Sequence, residues 1–226
     1  RRTGFPTVQD AAAFAKSIHQ LPGIRITGLL SHGGHCYGIK TREQLREIAV
    51  EEAKMMNAVK EALDRAGIPI EEVSVGASPT MPFLEEMEGV TEIRPGTFIF
   101  NDYNQLCLRS ASEEDCAVRI LTTVVSRPAA DRIIIDAGSK TLTSDLNVTG
   151  KGYGCIVGHP EYRIERLSEE HGILSIPTDS DVRIGDILTV IPNHVCPVIN
   201  LADELIAVED GVPRERIPVD ARGKNH

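Results

Sequence analysis

The chain has no tryptophan, and aromatics make up only 4% of its 226 residues, so it offers few platforms on which bases could stack. Positive charge is also scarce. Its 24 lysines and arginines stand against 33 aspartates and glutamates, a formal net charge of −9, with no basic stretch anywhere. Nucleic acid is therefore not an expected partner. Long apolar runs are missing too: those at 133–135 and 187–191 fall far short of the roughly 20 residues a spanning helix needs, and nothing at the start resembles a signal peptide. No membrane association is expected, and a cytoplasmic location follows. The five cysteines (Cys36, Cys107, Cys116, Cys155, Cys196) are odd in number, scattered, and free of any C-x-x-C pair. That excludes a disulfide framework and a four-cysteine structural zinc site, and leaves reduced thiols.

What remains is an ordinary globular mixture, 41% apolar and 25% charged, long enough for one large domain or two modest ones. The opening Arg1-Arg2-Thr3-Gly4 carries no initiator methionine and runs straight into a turn-like stretch, so a truncation is expected. From Val8 to Leu21 apolar residues recur at helical spacing until Pro22-Gly23 stops them. Residues 24–30 read as a strand, about 42–66 as a long helix capped by Gly67, and 73–75 as the next strand. Strand, long helix, strand is a βαβ unit and demands a parallel sheet. After about Ser112 the pattern changes to β-rich runs at 117–126, 132–136, 154–157, 164–167, 172–176 and 187–191, punctuated by turn formers. This is an antiparallel barrel or sandwich, with the domain boundary placed near residue 112.

Two segments suit phosphate binding. Val75-Gly76-Ala77-Ser78-Pro79-Thr80 ends a strand in small, hydroxyl-bearing residues ahead of a short helix, and Glu92-Ile93-Arg94-Pro95-Gly96-Thr97 enters a second Gly-Thr turn 18 residues later. Either alone is also what a bland αβ loop would carry. Together they resemble the last two barrel strands of the fold-type III pyridoxal-phosphate (PLP) enzymes, the alanine racemase-like group. The resemblance implies that Gly76, Ser78, Gly96 and Thr97 hold the cofactor phosphate and that Arg94 faces the pyridine nitrogen, keeping it unprotonated. A surface ion pair with a nearby glutamate is the plainer alternative for Arg94. Arg2-Thr3-Gly4 resembles the tail of the family turn whose arginine approaches the phenolic oxygen, which would make Arg2 a cofactor residue. Leu29-Leu30-Ser31-His32-Gly33-Gly34-His35 resembles the strand end that places a His or Tyr against the ring face, with His32 the better candidate. His35 reads equally as a loop histidine.

The strongest local signal is Ile191-Pro192-Asn193-His194-Val195-Cys196, leading on to Asp203-Glu204. In an extended chain, residues i and i+2 point the same way, so the His194 imidazole and the Cys196 thiolate converge on one ion. Such an N and S pair suits zinc, and two protein ligands leave positions open for water and substrate. A half-buried histidine beside an inert core cysteine is the ordinary meaning of a lone H-x-C. Here the segment resembles the D-serine dehydratases, which carry a zinc-binding His-x-Cys in a C-terminal β domain, whereas D-threonine aldolases carry His-x-Asp.

The whole chain thus resembles the D-threonine aldolase and D-serine dehydratase family. The implied fold is α/β plus β: the C-terminal portion of a PLP-binding (β/α)8 barrel over residues 1–112, then a mainly antiparallel β domain over 113–226. A full barrel takes about 250 residues, so on the order of 140 N-terminal residues, including the Schiff-base lysine, are expected to be missing and the fragment inactive. Lys140, in Asp136-Ala137-Gly138-Ser139-Lys140, is rejected as that lysine because the family's lies at the first barrel strand. His171, beside Glu170, is taken as a metal-supporting or acid/base residue, and Tyr153 as one reaching an active site across a homodimer interface. The implied activity is a PLP-dependent lyase on D-β-hydroxy amino acids, assisted by zinc, with manganese or magnesium as substitutes. An amino-acid racemase on the same fold and a non-catalytic PLP-binding protein are the alternatives.

Overall fold

A computed structural model describes residues 3–224. The chain divides into two compact units, one running up to Gly96 and including Leu108–Ser110, the other comprising Thr97–Cys107 and the chain from Ala111 onward.

The first unit is built from α1 (Val8–Ile18), β1 (Gly28–Leu30), α2 (Arg42–Asp64), β2 (Glu72–Val75) and β3 (Glu92–Ile93). Threonine hydroxyls cap both helices: Thr7 accepts the Asp10 N–H and Thr41 accepts the Gln44 N–H. Helix α2 buries Leu45, Ala49, Glu52, Ala53, Met56, Val59 and Leu63, one face at spacings of three and four. It ends where Gly67 takes φ +76° and the Ile68 N–H turns back to the Leu63 carbonyl. The three strands pair in parallel in the order β1, β2, β3, as the βαβ pattern requires. Strand β1 is shorter than the expected 24–30, because its ladder with β2 begins only at Gly28 opposite Glu72. After β2 and β1 the chain coils into 3-10 turns, Ser78–Glu86 and Gly34–Gly38, and these strand ends carry the candidate cofactor residues.

The second unit begins with a 3-10 turn (Thr97–Ile99) and α3 (Tyr103–Cys107). It continues through β4 (Ile120–Ala129), β5 (Arg132–Ile135), α4 (Ser139–Leu142), β6 (Cys155–Ile156), β7 (Arg163–Leu167), β8 (Gly172–Ser175), β9 (Ile187–Ile191), α5 (Val195–Leu201), β10 (Glu204–Glu209) and β11 (Val212–Pro218). Strands β6, β9, β4, β5, β8 and β7 form one antiparallel sheet in that order. Alternation puts Val124, Ile133, Ile135, Ile164, Leu174 and Val190 into a common core, all fully buried. Strands β10 and β11 pair separately as a hairpin, turned by Asp210 and Gly211, both at positive φ.

One expectation is corrected in this unit. The sequence pattern predicts an extended segment around His194, yet only His194 is extended (φ −138°, ψ 104°), and it caps α5, which starts at Val195. The helix forms because Pro197 falls in its first turn, where the missing N–H costs nothing, and because the Asp102 carboxylate accepts the otherwise orphaned Val195 N–H at 3.1 Å.

Candidate functional site

In the first unit the ends of β1, β2 and β3 lie side by side. The His32 imidazole has Nδ1 2.6 Å from the Gly76 carbonyl oxygen. A carbonyl only accepts, so Nδ1 is the donor in this bond and Nε2 takes no part in it. Gly76 is bare for a reason: a Cβ there would stand 2.9 Å from the Arg94 carbonyl oxygen and 3.0 Å from Arg94 Cβ. The Ser78 hydroxyl, buried, accepts the Gly96 N–H at 3.1 Å, which joins the two turns the sequence singled out. Arg94 donates to the Ser74 hydroxyl and to the Ser31 carbonyl, so it faces the strand ends rather than pairing with a surface glutamate. Ser74 in turn donates to Glu92. His35 is exposed in the turn Gly34–Gly38. Arg2 lies outside the described residues. Thr97 opens the second unit, and its Oγ1 is buried without a hydrogen-bond partner among the described residues.

In the second unit His194 and Cys196 do meet, by the geometry of a helix start instead of a strand. A hydrogen bond with the Cys196 thiol, then one with Asp145, pushes the His194 pKa up to about 9 against the opposing effect of burial. The Asp145 bond runs from Nδ1 to Oδ2 at 2.8 Å. The amide of Asn193, fully buried, donates to the carbonyls of Asp145 and Gly152, each at 2.8 Å, and so ties the Asp145 loop to the one bearing Tyr153. Buried Asp102 anchors the starts of α3 and α5 by accepting the N–H groups of Gln105 and Val195, both at 3.1 Å. Burial raises its pKa, and the amide bonds with the nearby His194 charge hold that rise back.

Tyr153 packs half-buried against the sheet core. His171 is exposed in the turn between β7 and β8, where its backbone carbonyl accepts the Ser168 N–H at 2.8 Å. Glu170 is engaged elsewhere: with Glu169 it holds the Lys140 ammonium, at 2.7 and 2.9 Å. Those carboxylates raise the Lys140 pKa, the opposite of what a Schiff-base nucleophile requires. Sequence reasoning passed over Asp145 and Asn193. Asp145 is 49 positions from His194, too far for any spacing rule to connect them.

Both sets of side chains fit the groups the motifs suggest. A buried serine hydroxyl beside a glycine amide is suited to phosphate oxygens. An imidazole in contact with a thiol, its Nδ1 held by a carboxylate, is suited to a zinc-like cation. Among the described residues no three His, Cys, Asp or Glu side chains cluster to hold a metal ion. No helix among them is long and apolar enough to cross a membrane.

Two family models match the chain, "Alanine racemase, N-terminal domain" over residues 1–104 and "Putative serine dehydratase domain" over 117–208. A D-threonine aldolase of Arthrobacter sp is 29% identical over 93% of this chain and 55% of its own length. A D-serine dehydratase of Dictyostelium discoideum is 31% identical over 75% of this chain and 47% of its own. The chain thus spans about half the length of the curated relatives it matches. The solved D-threo-3-hydroxyaspartate dehydratase of Delftia sp. HT23 superposes with a TM-score of 0.84 at 29% identity, over 97% of this chain and 63% of that one. Two alanine variants of a D-threo-3-hydroxyaspartate dehydratase are also similar, one of a histidine and one, in a metal-free form, of a cysteine two positions further on.

Proposed function

Because the chain belongs to the D-threonine aldolase and D-serine dehydratase family and has its alanine racemase-like fold with an antiparallel β domain, we propose that the whole protein is a PLP-dependent, metal-assisted lyase of D-β-hydroxy amino acids. The observation that carries the reading is the trio at α5: His194 and Cys196 in contact, with Asp145 on Nδ1 of the ring.

In this reading PLP supplies an electron sink for the bond broken at Cα, and a divalent cation, zinc before manganese or magnesium, supplies Lewis acidity at the β-hydroxyl. The chain's own residues do the rest. Ser78, Gly96 and Thr97, with bare Gly76 beside them, hold phosphate, while Arg94, braced by Ser31 and Ser74, keeps a proton off the ring nitrogen. His32 spends Nδ1 on Gly76 and keeps Nε2 to hold or release a proton. His194 and Cys196 are the cation ligands once each has lost its proton, and Asp145 fixes the His194 ring. Arg2 is assigned to the cofactor by the family resemblance alone, and Tyr153 and His171 to proton handling, with Tyr153 contributed across a homodimer. Residues 1–112 serve the cofactor and 113–226 the metal.

Cysteine at position 196 favours dehydration over carbon–carbon cleavage. The D-threo-3-hydroxyaspartate dehydratase variants support this, since the histidine and cysteine replaced in them have the same spacing as His194 and Cys196. The test is to incubate the full-length protein with D-serine, D-threonine and D-threo-3-hydroxyaspartate and identify the products. A 2-oxo acid with ammonia is expected. Glycine with an aldehyde would make the protein an aldolase, and the L-enantiomer alone would make it a racemase and end the lyase reading.

A further inference from the structure

Glu52 lies on the inward face of α2 and is only 6% exposed, which is unusual for a carboxylate. Its Oε1 accepts the Ser31 hydroxyl at 2.7 Å, and its Oε2 is buried with no hydrogen-bond partner among the described residues. The loop after β1 wraps this carboxylate in bare backbone, since a Cβ on Gly33 would stand 3.0 Å from Oε2. A half-satisfied buried carboxyl group is poor material for stability, and its presence asks for another reason.

Ser31 supplies one. Its N–H donates to the Ser74 carbonyl at 2.9 Å, its carbonyl accepts from the Arg94 guanidinium, and its hydroxyl is the group Glu52 holds. The next residue is His32, whose imidazole is set against Gly76. A single residue therefore stands between the buried carboxylate and both side chains assigned to the cofactor ring.

We propose that Glu52 is a positioning residue, which grips the end of β1 through Ser31 and so fixes the places of His32 and Arg94. This rests on the PLP reading above. Glu52 touches neither cofactor nor substrate; it acts through the strand end.

The test uses the full-length protein stripped of cofactor, titrated with PLP by absorbance, with melting temperatures measured alongside. Glu52→Ala and Ser31→Ala should each weaken PLP binding by about tenfold, and the double variant should bind no worse than either, because both remove one shared contact. Glu52→Gln should restore binding to within about threefold, since its amide oxygen still accepts from Ser31. Variants that melt earlier but bind PLP as wild type does would reduce Glu52 to a structural residue and overturn the proposal. Should Glu52→Ala fail to fold, Ser31→Ala against Glu52→Gln decides, and equal affinity in the two overturns it. Wild-type protein that takes up no PLP would instead sink the functional reading itself.

Discussion

Asp145 holds the His194 ring at Nδ1, with Oδ2 2.8 Å away. A carboxylate in that place fixes which nitrogen carries the proton and sharpens the other as a ligand. Asp145→Ala in the full-length protein should weaken zinc binding by about 10- to 100-fold, read by competition with a chromophoric chelator. Unchanged affinity would mean that the pair is an exposed ion pair and nothing more.

Asp102 is the structural hub beneath that site. Replacing it by alanine strands the buried N–H groups of Gln105 and Val195, so Asp102→Ala should cost about 2–4 kcal/mol in denaturant unfolding. A loss below about 0.5 kcal/mol would show that the starts of α3 and α5 do not depend on it.

The phosphate assignment predicts an ordered pair of effects. Ser78→Ala removes the hydroxyl between the two turns and should weaken PLP binding by about tenfold with little change in stability. Gly76→Ala forces a Cβ to within 2.9 Å of a backbone oxygen and should cost about 1–3 kcal/mol of stability, as thermal melts would register. The reverse pattern would move the phosphate elsewhere.

Acid should loosen the β domain through Asp136. Its carboxylate accepts the Thr122 hydroxyl at 2.6 Å and the Thr123 N–H at 2.7 Å, and these bonds lower its pKa. A lowered carboxylate pKa means stability present in full above the unfolded value of about 3.9 and lost as pH falls through the folded one. Asp136→Asn should therefore be less stable than wild type at neutral pH, with the gap closing below about pH 4. Because Asp136 is exposed the effect is modest, and a gap independent of pH would contradict it.

Much of this was readable from sequence wherever periodicity or punctuation is local. The face of α2, its Gly67 cap and the β9 run at 187–191 follow from spacing alone. The His194 segment shows where local reasoning ends: His-Val-Cys-Pro reads as extended, but a carboxylate far back in the chain, Asp102, satisfies the first amide and lets a helix start. The β10 and β11 hairpin is marked in the sequence by Asp210-Gly211, a strong turn pair. Asp145, Asn193 and Glu52 carry no sequence signal, because their partners are brought to them only by the fold.

The central claim is that a metal at His194 and Cys196 takes part in the reaction. Full-length protein should be treated with a chelator, assayed on D-serine and D-threonine, then given zinc, alongside Cys196→Ala, whose exposed side chain can be removed without unfolding the chain. The account predicts that chelation abolishes breakdown, that zinc or manganese restores it in wild type, and that Cys196→Ala stays inactive whatever metal is added. Full activity in exhaustively chelated Cys196→Ala would contradict it and leave the pair as packing at the start of a helix.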